Sequence, residues 1–326
     1  MKKQRVLTGI TTTGTPHLGN YVGAIRPSIE ASKDVSLDSF FFLADYHALI
    51  KAEDPKLVRQ SSKEIAATWL ALGLDTDHAL FYRQSDVPEI TELAWVLCCS
   101  AAKGLMNRAH AYKAAVQSNE EAGADPDFGI TMGLFGYPVL MAADILMFNA
   151  ERIPVGKDQV QHVEMARDIA QRFNHNVAEL FTLPEAVVGQ DVAVLQGLDG
   201  RKMSKSYNNT IPLFLPQKQL RKAINKIKTN LLEPGEAKDP DTSTVFQIWA
   251  AFASEEEVQR MRKEFENGIA WGEAKKQLFE LVDSELGPAR ERYEALMNDP
   301  GHIESVLRKG AERAREYSTP LMKRIR

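Results

Sequence analysis

The sequence predicts a doubly wound α/β domain with a mainly parallel sheet, followed by a helical C-terminal domain. In residues 1–200, short apolar runs typical of buried strands alternate with segments of helical periodicity. After about Asn208 the strand signals fade, and amphipathic helical patterns continue to the end. Glycine-containing or polar stretches follow several predicted strands, which is where such sheets bind ligands. We therefore expect a Rossmann-like α/β domain over 1–208 and a helical domain over 209–326.

The predicted elements of the first domain follow one another in a regular order. Short apolar runs predict strands at 5–10, 39–43, 79–87 and from 152 up to a glycine turn at 156. Helical spacing predicts helices over 57–74, 90–110, 137–149 and from that turn to 174, with a helical start in 20–33. Residues 117–131 are polar and punctuated by Gly and Pro, which predicts an exposed loop.

The second domain is predicted to contain helices only. Amphipathic patterns cover 255–268, 274–287, 288–299 and 302–318, and Gly287-Pro288 and Asp299-Pro300-Gly301 are expected to separate the later ones. Residues 1–200 carry 17 Lys and Arg against 25 Asp and Glu, a net charge of −8, whereas residues 201–326 carry 23 against 19, a net charge of +4. A basic second part favours a polyanionic partner, although mixed charges on solvated helices account for these numbers equally well.

Composition restricts the class of protein and its compartment. Hydrophobic residues make up 44% and charged residues 26%, an ordinary globular mixture. No apolar stretch approaches the ~20 residues of a membrane span, and the first residues lack the apolar core of a signal peptide. The two cysteines, Cys98 and Cys99, are adjacent, so no disulfide framework is expected and a cytoplasmic location fits. No His/Cys cluster predicts a metal held by the protein.

Two stretches carry the strongest functional signal. TTTGTPHLGN (11–20) follows the first strand and opens a helix, an arrangement in which backbone N–H groups and the helix dipole accept phosphate. His17 can equally be a turn residue bonded to its own backbone. RKMSKSYNN (201–209) places Lys202 and Lys205 three residues apart among serines, which suits a polyphosphate. A basic surface loop is the alternative interpretation.

Together the two stretches resemble the paired signatures of class I aminoacyl-tRNA synthetases. PHLGN at 16–20 is similar to their HIGH motif, and residues 202–206 read KMSKS letter for letter. ADYHALI (44–50), YPVLMAADIL (137–146) and the VGKDQ stretch that begins at 155 are similar to tryptophanyl-tRNA synthetases. That family commonly has Gln-Pro-Ser where this chain has Thr11-Thr12-Thr13, so what replaces a contact from the glutamine stays open.

The resemblance implies a tryptophan–tRNA ligase. Tryptophan and ATP would form tryptophanyl-adenylate and pyrophosphate, and the aminoacyl group would pass to the 3′-terminal ribose of tRNA(Trp). The implied catalytic residues are Lys202, Lys205, Ser204 and His17. The implied ATP-binding residues are Thr11, Thr12, Thr13, Gly19, Asn20, Gly156, Lys157, Asp158, Val194, Leu195, Lys202, Met203, Ser204, Lys205 and Ser206. ATP is expected with Mg²⁺ as a substrate, with no metal tightly ligated by the protein.

Asp144 is the residue that we expect to select tryptophan. A carboxylate among Met, Ala, Ile and Leu is costly to bury without a partner, and an ionised Asp accepts what an indole N–H donates. The alternative is a single satisfied Asp in an apolar core helix. The residues implied for tryptophan binding are Asp144, Tyr137, Met141, Gln159, Ile153, Val155, Gly9 and His47. A hydrogen-bonded structural histidine is the favoured interpretation of His47 taken alone. His162 has the same interpretation and is left outside the site.

The resemblance also implies partners. The basic helical domain would hold tRNA(Trp), no membrane is involved, and the family is homodimeric. The helix around Trp95–Cys99 is a candidate dimer interface, although an internal core helix is equally consistent with its pattern. Three other functions stay open: a tyrosyl-tRNA synthetase, a small nucleotidyltransferase with a related loop, and an RNA-binding protein that has lost catalysis.

Overall fold

The computed structural model describes residues 3–51, 54–188 and 194–326. Within those ranges lies a five-stranded parallel sheet with the strand order β3-β2-β1-β4-β5. The strands are β1 (Gln4–Ile10), β2 (Leu37–Leu43), β3 (Leu80–Arg83), β4 (Arg152–Val155) and β5 (Glu185–Val188). The chain moves outward from β1 to β3 and then returns to β4 on the other side of β1. Strand order reverses between β1 and β4, and a ligand crevice is expected at that point.

Helices flank the sheet and make up the C-terminal region. In the first part they are α1 (Leu18–Asn20), α2 (Arg26–Ser32), α3 (Asp45–Ala48), α4 (Pro55–Ala71), α5 (Glu89–Ser100), α6 (Lys103–Met106), α7 (His110–Glu121), α8 (Met132–Met147) and α9 (Val160–Asn176). The later helices are α10 (Gln217–Asn225), α11 (Thr244–Phe252), α12 (Glu255–Glu266), α13 (Trp271–Asn298) and α14 (Pro300–Ile325). The predicted α/β fold class with a helical C-terminal region is confirmed.

Helix α4 shows how the sequence sets these boundaries. The Asp54 side chain accepts the Lys56 N–H as an N-cap, and Pro55 occupies the first helical position, where no N–H is needed. Ile65 and Trp69, four residues apart, face the core. The helix is followed by Gly73 at φ +93°, a conformation that glycine adopts without steric cost.

Several local predictions differ from the structure, and some elements were missed. The strand predicted over 79–87 ends at Arg83, and a 3-10 turn follows at Gln84–Asp86. Helix α7 extends to Glu121, so the exposed loop begins later than residue 117. The helix predicted over 90–110 is divided into α5 and α6 by extended backbone at Ala101 and Ala102. Strand β5 and helices α10 and α11 were not predicted. Helix α13 continues through Gly287-Pro288 because Leu286 and Ala289 stay buried in the core, and this packing outweighs the missing hydrogen bond.

The C-terminal helices pack directly against the sheet. A Cβ on Gly310 of α14 would overlap the Phe81 carbonyl oxygen of β3, so the two backbones touch. Arg313 donates to the Thr76 carbonyl oxygen (2.9 Å), and Arg292 of α13 donates to that of Ala71 (2.7 Å). A division at residue 208 therefore stays a prediction, and both sides of it share one apolar core. Within the described ranges, no helix has the length and apolarity needed to cross a membrane.

Candidate active site

The two loops singled out in the sequence meet at the carboxyl edge of the sheet. We call residues 11–20 the first loop and residues 201–209 the lysine loop. The Lys205 ammonium donates to the Thr13 carbonyl oxygen at 2.9 Å. Backbone bonds fasten the segment after the lysine loop to the first loop: Leu18 N–H to the Ile211 oxygen, and Leu213 N–H to the Pro16 oxygen, both 3.0 Å. Residues that are far apart in the chain thus form one surface above β1.

His17 begins helix α1 and has a defined protonation state. Its Nδ1 accepts the Asn20 N–H (3.3 Å), and Asn20 Oδ1 accepts the His17 N–H (3.1 Å), a reciprocal cap. Burial, and then the charge of Lys205, lower the His17 pKa to about 4, so the imidazole is neutral at pH 7. Because Nδ1 is an acceptor, the proton is on Nε2. The predicted self-bonded turn histidine therefore keeps one ring donor for a ligand.

The lysine loop is held to the protein core by Met203, whereas its lysine side chain at 202 is exposed to solvent. Met203 is 4% exposed, lies in the core and donates its N–H to the Leu195 oxygen (2.8 Å). Ser204 caps the short 3-10 turn Lys205–Tyr207, and its hydroxyl contacts that of Ser206 (2.8 Å). Lys202 is exposed, and its ammonium has no hydrogen bond or ion pair to any described residue. Burial lowers the pKa of Lys205, and an anionic phosphate would favour its charged form again.

Asn209, which the sequence analysis did not single out, holds the lysine loop together. Its Oδ1 accepts the Ser204 N–H (2.8 Å), while its Nδ2 donates to Asp199 Oδ1 (2.7 Å) and to the Lys202 carbonyl (3.1 Å). The Asn209 hydrogen bond is the largest cause of an Asp199 pKa lowered to about 2. Gly197 faces Asn209 so closely that a Cβ would overlap it. The one sequence signal was an amide residue just after the motif.

Asp144 of α8 is fully buried and paired. Its Oδ2 lies 2.8 Å from His47 Nε2, and Gln84 Nε2 donates to its Oδ1 (2.8 Å) and Oδ2 (3.0 Å). Burial raises the Asp144 pKa, and hydrogen bonds from His47 and Gln84 act in the opposite direction. The nearby Tyr82 hydroxyl is buried without a hydrogen-bond partner among the residues described. From the sequence, the expected partner of this carboxylate is a bound indole, and a satisfied core Asp is the alternative. The structure supplies two protein partners, His47 and Gln84, and the sequence identified neither as such.

A second network of hydrogen-bonded side chains connects α8 to α9. Tyr137 Oη lies 2.6 Å from His162 Nε2, and His162 Nδ1 lies 2.9 Å from Gln159 Oε1. Gln159 Nε2 donates to Asp158 Oδ2 (3.0 Å), so its oxygen faces His162 and Nδ1 carries the ring proton. Burial lowers the His162 pKa, and neutral Nε2 accepts the Tyr137 hydroxyl proton. His162, left outside the predicted site, thus connects two residues expected to bind tryptophan.

The remaining residues of the predicted site differ in how far they are exposed to solvent. Gly156, Lys157 and Asp158 are exposed at the end of β4, and Val194 is 61% exposed. Leu195 and Ile153 are core residues at 3% exposure. Thr12 is buried, with its hydroxyl directed to the Ala44 oxygen (3.5 Å), whereas Thr11 and Thr13 are exposed. Met141, Val155 and Gly19 are half-buried, and Gly9 is exposed near the end of β1, where it lies against the Phe42 ring.

Within residues 3–51, 54–188 and 194–326, no group of three or more His, Cys, Asp or Glu side chains is placed to hold a metal ion. The charge around the two loops is instead supplied by Lys202 and Lys205, with backbone N–H groups and hydroxyls beside them. Such a donor set suits an anionic ligand.

Comparison with known proteins identifies the family. The family described as tRNA synthetases class I (W and Y) matches residues 1–287. The tryptophan–tRNA ligase of Pseudomonas aeruginosa is 65% identical over 325 residues, covering 99% of this chain and 72% of the relative. That of Neisseria meningitidis is 58% identical, covering 100% of this chain and 97% of the relative.

A solved structure agrees with the sequence relatives. The tryptophanyl-tRNA synthetase of Campylobacter jejuni, complexed with ADP and tryptophan, is 42% identical, with a TM-score of 0.90 and coverage of 99% of this chain and 98% of that one. The expected resemblance is thereby confirmed, and a nucleotidyltransferase is excluded. On these relationships and on the two joined loops, the chain belongs to the class I tRNA synthetases and, within them, to the tryptophan–tRNA ligases.

Proposed function

We propose that this chain activates tryptophan with ATP and charges tRNA(Trp), using the two loops and the Asp144 region as one site. The observation that carries the proposal is the hydrogen bond between Lys205 and the Thr13 carbonyl (2.9 Å). It joins a lysine loop to a glycine-containing loop at the edge of the sheet where such folds bind nucleotides. The Campylobacter jejuni structure contains ADP and tryptophan, and both ligand classes suit the polar groups described above.

The chemical step requires positioning and charge neutralisation. The tryptophan carboxylate, ionised at pH 7, attacks the α-phosphorus; the new C(O)O–P bond forms as the bond to pyrophosphate breaks. No general base is needed because the nucleophile has no proton to lose. Lys205 and Lys202 neutralise the charge that develops on the leaving pyrophosphate, and Ser204 adds a hydroxyl donor. His17 donates its Nε2 proton in a hydrogen bond to a phosphate oxygen.

The nucleotide lies across the first loop and the end of β4. The loop residues Thr11, Thr13, Gly19 and Asn20 are proposed phosphate or ribose contacts, and Gly156 and Asp158 meet the ribose hydroxyls. Leu195 and Met203 are buried, so we assign them to the floor of the site rather than to polar contact. ATP is expected to arrive as its Mg²⁺ complex, since Mg²⁺ prefers phosphate oxygens and water as ligands.

Tryptophan lies beside α8 with its indole N–H on Asp144. The carboxylate already has two donors and keeps acceptor capacity for a third. Tyr137 and Gln159, tied together by His162, contact the ammonium or carboxylate group. The apolar walls are assigned to Met141, Ile153, Val155 and Gly9, and His47 orients Asp144.

The C-terminal helices are proposed to bind tRNA, and the chain to form a homodimer in the cytoplasm.

Support for a dimer comes from α5, where Leu93 and Leu97 face the core while Trp95 is 72% exposed. We assign the dimer surface to this exposed face of α5. Cys98 and Cys99 lie on the same exposed part of the helix as free thiols, which suits a reducing compartment.

ATP–pyrophosphate exchange with each of the twenty amino acids tests the proposal. We expect exchange that depends on tryptophan, with tyrosine and phenylalanine near background. Exchange with tyrosine at a comparable rate would overturn the choice of amino acid. A folded protein without exchange for any amino acid would indicate a binding protein that has lost catalysis.

A further inference from the structure

Gln84 has a side-chain orientation that its neighbours determine completely. It is the first residue of the 3-10 turn Gln84–Asp86 after β3 and is 0% exposed. Its Oε1 accepts the Tyr46 N–H (3.1 Å), and its Nε2 donates to both Asp144 oxygens, at 2.8 and 3.0 Å. A backbone N–H can only donate, so it fixes which end of the amide is oxygen. The NH₂ group must therefore face the carboxylate.

Asp144 receives hydrogen bonds from two sides only, among the residues that the structure describes. His47 Nε2 approaches from α3 at 2.8 Å, and Gln84 approaches from the end of β3. The other ionisable groups that face Asp144 are Asp45 on α3 and Tyr82 on β3. Burial and the Asp45 charge both favour a neutral carboxyl, and His47 and Gln84 oppose them. Removing either donor should therefore shift Asp144 toward its protonated form.

We propose that Gln84 is a positioning residue for tryptophan, whose locked amide holds Asp144 in the acceptor-only state and the orientation that an indole N–H requires. This inference rests on the proposed tryptophan site. An indole nitrogen is a donor only, so it gains a full hydrogen bond only from a group with a free lone pair. A protonated Asp144 would offer a weaker acceptor and an additional donor that the indole cannot use.

Two substitutions at Gln84 should make the affinity for tryptophan depend on pH in opposite directions. Gln84→Met keeps the volume but removes the donors, so Asp144 is protonated more easily. Tryptophan affinity should then fall about tenfold at low pH and recover as pH rises and the carboxyl ionises. Gln84→Glu keeps the shape, and one proton shared by the two carboxyls replaces the amide donor at low pH. Its affinity should be near that of the parent there and fall as pH rises, because two carboxylates would then face each other.

Isothermal titration calorimetry without ATP, between about pH 5.5 and about pH 8.5, distinguishes these outcomes. The ligands are tryptophan and 3-benzothienylalanine, which replaces the indole N–H by sulfur at nearly the same shape. With tryptophan, we expect affinity to rise with pH for Gln84→Met and to fall with pH for Gln84→Glu. With the analogue, we expect the affinity of both variants to change little with pH. Gln60→Met is the matched control, since Gln60 donates to Glu64 (2.8 Å) on the exposed face of α4.

A purely structural Gln84 would weaken both ligands in parallel at every pH, and that result would overturn the inference. If the Gln84→Met protein fails to fold, the falling profile of Gln84→Glu with tryptophan supports the inference, and a flat one contradicts it. A parent protein that binds the two ligands equally would instead overturn the proposed tryptophan site itself, and the inference with it.

Discussion

Lys205 and Thr13 are joined by a hydrogen bond of 2.9 Å from the lysine ammonium to the threonine carbonyl oxygen. The next residue, Gly14, has φ +68°, and a Cβ there would come within 2.7 Å of the lysine nitrogen. A residue without a side chain is therefore needed for both the turn and the contact. A phosphate oxygen is a stronger acceptor for an ammonium than a peptide carbonyl, so ATP should displace this bond.

Replacing Lys205 by alanine should slow adenylate formation about a hundredfold while changing tryptophan affinity little. Its charge matters most as pyrophosphate leaves, and removing one such interaction costs about 3 kcal/mol in the transition state. Single-turnover kinetics and equilibrium tryptophan binding measure the two quantities separately. Lys33→Ala is the control, because Lys33 forms an exposed ion pair with Glu30 on α2. A normal single-turnover rate would remove Lys205 from the mechanism.

Asn209→Ala should reduce the same rate through the position of the lysine loop. The amide connects Ser204, Asp199 and the Lys202 carbonyl, so its removal releases the loop without removing a charge. We expect adenylate formation to fall about ten- to a hundredfold, with tryptophan affinity unchanged. Asn107→Ala, at an exposed asparagine that accepts from Lys103, provides the comparison. An unchanged rate would show that Ser204 and Met203 position the loop without Asn209.

Sequence patterns single out the charged and titratable residues of the proposed site, but not the amides that hydrogen-bond to them. Lys205 and His17 stand in motifs, and Asp144 stands out as a carboxylate in an apolar helix. Gln84 and Asn209 have no such signal, because an amide becomes a positioning group only through partners that the fold brings near. The same applies to His162, whose two partners lie on α8 and before α9.

The strand β1 and the helix α4 were predicted, whereas the strand β5 and the helices α10 and α11 were not. β1 and α4 have apolar patterns that specify their type locally. β5 has only four residues, and its pairing with β4 decides its conformation. At Gly287-Pro288 the local signal for a break was clear, yet tertiary packing kept α13 intact.

The free energy of unfolding should decrease between pH 6.5 and about pH 4, because His17 is neutral in the folded protein over this range. Its folded pKa of about 4 lies below the unfolded value of 6.5, so the unfolded chain binds the additional proton in this window. The free energy of unfolding therefore falls as pH is lowered through the window, by about 2 kcal/mol from this group. His17→Asn keeps a cap acceptor without a titrating ring and should lose less stability on acidification. Denaturant unfolding at several pH values tests this difference; parallel pH curves for the two proteins would contradict it.

Gly310→Ala should destabilise the protein although alanine is the better helix former. The helical preference favours alanine by about 1 kcal/mol, but its Cβ would overlap the Phe81 carbonyl and force α14 away from β3. We expect a net decrease of at least about 2 kcal/mol in unfolding free energy. Gly287→Ala in α13 is the matched control, since nothing lies within 4 Å of its added Cβ, and it should be neutral or stabilising. Equal effects at the two positions would mean that α14 is not held tightly on the sheet.

Neutralising selected cations of α14 should weaken tRNA binding without unfolding the protein. Arg313, Arg315 and Arg326 bind the Thr76 carbonyl, Glu89 and Glu92, so they are excluded as structural. The exposed candidates are Arg308, Lys309, Lys323 and Arg324.

Glutamine at these four positions should raise the KM for tRNA and leave tryptophan-dependent pyrophosphate exchange unchanged. Each cation that no longer neutralises a phosphate should reduce the slope of log affinity against log salt by about 0.7 to 0.9. Removing the whole region from residue 209 would be a poorer test, because it strips α14 from β3 and exposes the core. Glutamine at Lys56 and Arg59, near the start of α4, controls for a change in net charge. An unchanged tRNA KM and salt slope in the four-position variant would place the tRNA contacts elsewhere on the chain.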